Sequence, residues 1–207
     1  MSRKVSSRIL FASANQGKLQ EAQETARPYS IEIIGAQQIS LEYNLPDIPQ
    51  VSESGKNYLE NAALKAQAFF LWSGGLPTLA DDSGLEVKAL GFAPGVLSAR
   101  YAGECADDTD NVNKLLRELE GVVDRSASFL CYLYLKTGQS TYLTAHGELR
   151  GRIAHRPSGS GGFGYDPLFI PEGYEKSLAY LKQSRGAPKT HRVAAFEKLF
   201  SALGINA

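Results

Sequence analysis

Asp81-Asp82-Ser83-Gly84 sets two carboxylates side by side where a short apolar segment, residues 77–80, comes to an end. Adjacent side chains on extended backbone point to opposite faces, so both serve one site only if the chain turns there. Ser83-Gly84 is expected to supply that turn. Oxygen-only ligands suit Mg²⁺, which takes one or two carboxylates and fills its remaining positions with water and phosphate oxygens. An Asx turn closing a strand accounts for the same residues equally well. Glu53 and Glu60 lie seven positions apart, two turns of helix, and would share a face with Lys65 nearby if the helix began early enough. A solvated polar stripe explains that spacing too.

Ser13-Ala14-Asn15-Gln16-Gly17-Lys18 follows the first apolar segment and opens a stretch of helix formers. A helix N-terminus there would present unpaired N–H groups to an anion, with Asn15 as a donor and Lys18 as a mobile charge. Taken alone, it reads better as a cap followed by a solvated lysine, because it has one glycine and is not a Walker sequence. Between Gly159 and Pro167, glycines alternate with Phe163 and Tyr165, a composition that suits a flat aromatic ligand held by stacking, with Asp166 as an acceptor. From residue 176 to 192 come Lys176, Lys182, Arg185, Lys189 and Arg192 with no acid among them. That run fits a nucleotide's phosphate or oxo groups, or a solvated or nucleic-acid-facing patch.

The elements that must position these residues can be read from periodicity. Residues 8–12 and 31–34 read as strands around a helix over 19–26, and residues 35–52, with Pro46 and Pro49, read mostly as loop. Helical spacing runs from Asn57 to Trp72 and closes at Gly74-Gly75. Val112, Leu115, Leu116 and Leu119 mark a second helix, capped by Asp108 or Thr109 and ended at Gly121. Strict alternation from Ser126 to Lys136 is the strongest strand signal, returning through residues 137–140 to a strand that runs to Ile153. The last helix starts near Thr190. Mixed elements with short connections give an α/β or α+β class.

The chain has 207 residues with 22 Lys+Arg against 22 Asp+Glu, so its formal charge is zero. That balance opposes a supercharged nucleic-acid binder, and 43% hydrophobic residues oppose a disordered chain. Cys105 and Cys131 stand outside any C-x-x-C pattern, which points to a reducing, cytoplasmic setting. The basic Met1-Ser2-Arg3-Lys4 start imitates a signal peptide, but its apolar stretch falls short of the ~7–15 residues required. No membrane segment is expected. His146 and His155 fit no metal-ligand spacing.

Taken together, the blocks resemble the inosine triphosphate pyrophosphatase family, which hydrolyses non-standard purine nucleoside triphosphates. Residues 13–18 look like its phosphate loop and Leu59-Glu60-Asn61-Ala62 through Lys65 like its long-helix motif. Residues 80–85, 93–96 and 98–101 look like its longest signature, and Gly161 to Pro167 with His191-Arg192 complete the set. The resemblance implies one domain over 1–207, an elongated two-lobed α/β fold around a long mixed sheet, a cleft between the lobes, and a homodimer. It also implies Mg²⁺-dependent cleavage of ITP, dITP or XTP to the monophosphate and pyrophosphate, with no nucleic-acid or membrane partner. The alternative is a non-catalytic purine-nucleotide sensor.

By the same resemblance, Lys18 and Lys65 would hold the phosphates, Ser13 and Asn15 of the phosphate loop would also bind substrate, and Glu53 and Asp82 would hold the Mg²⁺. Asp82 would help deprotonate the water and Ser83 would contact the substrate. Phe163, Gly164, Tyr165 and Asp166 would form the base pocket with His191 and Arg192. This sequence departs from the family at Ala14, where glycine is usual and where the backbone must therefore avoid left-handed φ. It departs again at Gly186, where the family has a lysine, with Lys182, Arg185 and Lys189 as the available substitutes.

Overall fold

The computed structural model describes residues 8–184 and 186–205. The Met1–Lys4 start and Arg185 lie outside the described residues. Six strands form one mixed sheet in the order β2-β1-β3-β4-β5-β6, with helices flanking it, so the class is α/β. The strands are β1 Arg8–Phe11, β2 Glu32–Gly35, β3 Thr78–Val87, β4 Ser126–Lys136, β5 Tyr142–Ile153 and β6 Phe169–Pro171. The helices are α1 Gln16–Ala26, α2 Ala36–Tyr43, α3 Tyr58–Trp72, α4 Asp108–Glu118, α5 Leu178–Gln183 and α6 His191–Ala202. Strand β1 pairs in parallel with β2 and β3, and β5 pairs antiparallel with β6.

The described residues divide into two compact units. The first holds residues 8–82, 131–147 and 192–205, and it buries both faces of its strands. Ile9, Phe11, Leu79, Cys131 and Leu133 pack with Ala22 of α1 and Phe196, Leu199 and Phe200 of α6. Leu10, Ala12, Ile34 and Ala80 pack with Ile39 of α2 and Ala66 and Phe69 of α3. Strand periodicity makes this division, because odd and even positions of β1 and β3 enter different cores. The second unit, residues 83–130 and 148–191, has a core of Leu85, Val87, Leu115, Phe129, Phe169 and Leu178.

Several local expectations need correction. Helix α2 lies within the stretch read as loop: Ala36 and Ile39 give it one buried stripe, and Asn44 ends it in the left-handed region before the prolines begin. Asn15 caps α1, so that helix begins at Gln16 rather than at Leu19. Asp107 caps α4 through a reciprocal box with Asp110, one residue before the expected cap. The expected turn at Ser83-Gly84 is absent, because β3 runs unbroken through all four residues of that motif. Helix α5 and strand β6 are too short for periodicity to reveal.

Candidate active site

The unbroken path of β3 decides what its two carboxylates do. Asp81 shares the Leu79 face and Asp82 the Ala80 face, so each meets a different set of partners. Asp81 is fully buried. Its Oδ2 lies 3.2 Å from Lys18 Nζ and 3.1 Å from Arg192 Nε, and Arg192 reaches Glu21 through Nη1. Burial alone would raise the Asp81 carboxyl, but Lys18, Arg192 and Lys65 outweigh it and hold the group far below the usual carboxylate range. Burial likewise opposes the charge on Arg192, whose pKa is nevertheless raised by Asp81 and Glu21.

Asp82 is arranged differently. Its Oδ2 accepts a 3.0 Å hydrogen bond from the Asn61 amide, and its Oδ1 lies 3.6 Å from Lys65 Nζ. Lys65 also donates to Glu53 Oε1 at 2.6 Å. Burial, with the negative charge of Glu53 beside it, raises the Asp82 carboxyl above its ordinary value, against the pull of Lys65, Lys18 and Asn61. Burial would lower Lys65, but Asp82, Asp81 and Glu53 outweigh it and keep the ammonium charged.

Glu53 lies before α3 begins, so it shares no helix face with Glu60. The exposed Glu60 instead accepts from Lys56 N and Asn57 Nδ2 at the helix start, an N-terminal cap outside the cluster. Two residues that sequence reasoning did not assign join the site. Asn61 is fully buried and ties Asp82 to the Glu53 segment, because its Oδ1 accepts from Gly55 N at 2.8 Å. Glu21 sits three positions after Lys18 on α1, a spacing that shares a helix face and could have flagged it.

At the start of α1, Ser13 Oγ accepts from Asn15 N at 3.2 Å and Asn15 Oδ1 from Lys18 N at 3.0 Å. This leaves a capped N-terminus with Lys18 leading back to Asp81. Among the described residues, positive φ outside glycine falls on Ser30, Asn44 and Phe92, so Ala14 needs no left-handed backbone.

The donor chemistry around Lys65 fits a hard divalent cation. Glu53 and Asp82 bring two carboxylates to one ammonium, and Glu53 lies close enough to oppose the charge on Asp82. Among the described residues there is no group of three or more His, Cys, Asp or Glu disposed to hold a metal. Two carboxylates completed by water and phosphate oxygens is the pattern of Mg²⁺ rather than of a closed protein cage.

The second unit holds the glycine-rich loop. Asp166 Oδ2 accepts from Phe163 N at 3.0 Å and from Lys182 Nζ at 2.7 Å. A Cβ on Gly162, whose φ is +79°, would collide with that same Asp166 oxygen, so only glycine allows this closure. Gly164 N donates to Asp108 Oδ2 at 2.7 Å, and the buried Tyr165 donates its hydroxyl to Ser98 O at 2.9 Å. Ser98 in turn accepts from Leu85 N at 2.9 Å, so the signature after β3 braces the loop. His191 stacks on Phe129 at 4.9 Å, and Ser83 is half-buried on β3. No helix among the described residues is long and apolar enough to cross a membrane.

Comparison with known proteins places these features in a family. The family model described as the Ham1 family matches residues 9–202. A protein named dITP/XTP pyrophosphatase from Vibrio cholerae serotype O1 is 42% identical over 201 residues, covering 95% of this chain and 96% of the relative. One of the same name from Coxiella burnetii is 40% identical over 199 residues, covering 94% and 96%. The solved structure of a HAM1 protein from Coxiella burnetii superposes with a TM-score of 0.81 at 39% identity, covering 95% of this chain and 98% of that one. A nucleoside-triphosphatase / dITP/XTP pyrophosphatase from Mycobacterium abscessus gives 0.70 at 34%, covering 95% and 96%. The chain belongs to the Ham1 family.

Proposed function

We propose that this protein hydrolyses non-standard purine nucleoside triphosphates such as ITP, dITP and XTP to the monophosphate and pyrophosphate, cleansing the nucleotide pool. Relatives named dITP/XTP pyrophosphatase support the substrate class. The observation that carries the reading is the meeting of Glu53 and Asp82 at the Lys65 ammonium. Residues 1–207 act as one catalytic domain in a cytoplasmic homodimer, without nucleic-acid or membrane partners.

Asp82 accepts the proton of the attacking water. Asn61 aims it by holding one oxygen. As the α–β phosphoanhydride bond breaks, pyrophosphate leaves with the bond's electrons, and Lys18 and Lys65 stabilise its charge. Glu53 and Asp82 would hold Mg²⁺, which when bound neutralises charge on the phosphate oxygens. Ser13 and Asn15 order the α1 start for the phosphates, and Ser83 contacts the substrate. Phe163, Gly164, Tyr165 and Asp166, with His191 and Arg192, serve the base.

A pyrophosphate-release assay with ITP, dITP, XTP and ATP, each with and without Mg²⁺, tests the reading. Release from the oxo-purine nucleotides only with the metal is expected, with ATP far slower. Failure of every nucleotide would end the proposal, and tight binding without release would favour a sensor.

A further inference from the structure

Lys182 occupies the last turn of α5, and the glycine-rich loop is stitched to that helix. Ala179 N donates to Asp166 O at 3.0 Å, and Ser158 Oγ donates to Ser177 Oγ, the α5 cap, at 3.0 Å. Gly159 and Gly161 lie so close to the α5 backbone that a Cβ on either would strike it. Loop and helix therefore behave as one body, and the place of Lys182 beside the loop is built in. Its Nζ sits 2.7 Å from Asp166 Oδ2 and 5.5 Å from the centre of the Phe163 ring. Among the described residues, Asp166 is the only hydrogen-bond acceptor of this ammonium. An ammonium carries three donors, so two remain for a ligand.

We propose that Lys182 is a specificity-determining residue that, paired with Asp166, reads the C6=O and N1–H edge of a 6-oxopurine stacked on Phe163. The inference rests on the assignment of this loop to the base. A 6-oxopurine presents a carbonyl acceptor at C6 next to an N1–H donor, and an ammonium beside a carboxylate answers both. Adenine presents the reverse, an amino donor at C6 and a bare acceptor at N1, so both contacts would be mispaired. Sites built on such hydrogen bonds reject the wrong partner strongly, because their polar groups are left unpaired. Guanine shares the 6-oxo edge, so this pair separates ITP, XTP and GTP together from ATP.

The test compares kcat/KM for ITP, XTP, GTP and ATP in the full-length wild type, Lys182→Met and Lys182→Arg. Lys182→Met should lower the three oxo-purine values about 10- to 100-fold, the worth of a hydrogen bond to a charged group, and leave ATP within about threefold. Lys182→Arg keeps a donor and should recover most of the loss. A Lys182→Met loss equal for all four nucleotides would show a merely structural role and overturn the inference, as would an unchanged ITP-to-ATP ratio. A wild type that releases no pyrophosphate from any nucleotide would instead strike the functional assignment beneath it.

Discussion

Two neighbouring carboxylates on β3 live in opposite worlds. Asp81 faces the core shared with α1 and α6, where Lys18 and Arg192 meet one of its oxygens and Arg192 carries the chain of charge on to Glu21. Asp82 faces α3, where an amide and one shared ammonium meet it and a second carboxylate stands close by. Cations dominate around the first, which lies far below the ordinary carboxylate range; the second is raised. Adjacency in sequence therefore does not mean shared chemistry. Extended backbone sends one side chain to the α1 and α6 face and the other to the α3 face.

Substitutions that remove one charge at a time can break this contrast. The largest effect is expected for Asp82→Asn, where loss of the proton acceptor should lower kcat by about 10²–10⁴-fold while the thermal midpoint stays near wild type. Near-normal pyrophosphate release from that variant would mean that Asp82 is not the base. Asp81→Asn should act chiefly on stability. It leaves the buried Arg192 and the half-buried Lys18 with less compensating charge, a loss of about 3–5 kcal/mol, readable by urea unfolding. If the urea midpoint did not move, the Asp81 face would lose its structural assignment. The smallest change should come from Glu60→Ala, which keeps the Asn57 cap and loses only the acceptor for Lys56 N and Asn57 Nδ2 at the start of α3. Its Tm should fall by no more than about 4 °C and its kcat should be unchanged. A large kcat loss there would return Glu60 to the cluster from which its hydrogen bonds now separate it.

Much of the site was legible before the fold was known. Lys18 and Lys65 could be singled out because residue type and position near an expected helix start are local properties. The glycine-rich loop was visible through the density of its glycines, and at Gly162 the reason is a steric one that only the folded loop reveals. Asn61 was hidden because a buried amide leaves no periodic trace: it matters through Gly55 and Asp82, one close in sequence and one 21 residues away. Lys182 could be counted among the basic residues, but its ion pair with Asp166 depends on how α5 docks against the loop.

By itself, the amino-acid order determined a mixed class (α/β or α+β), the strands with clear alternation, the long helix α3 and the types of group available for catalysis. Those follow from short-range periodicity and side-chain chemistry, which act within a few residues. The tertiary structure alone decided that β3 continues through Asp81 and Asp82, that Glu53 rather than Glu60 joins Lys65, and that Asp81 is buried between Lys18 and Arg192. These outcomes depend on contacts between distant segments, where burial and electrostatics outweigh the local turn preference of Ser83-Gly84.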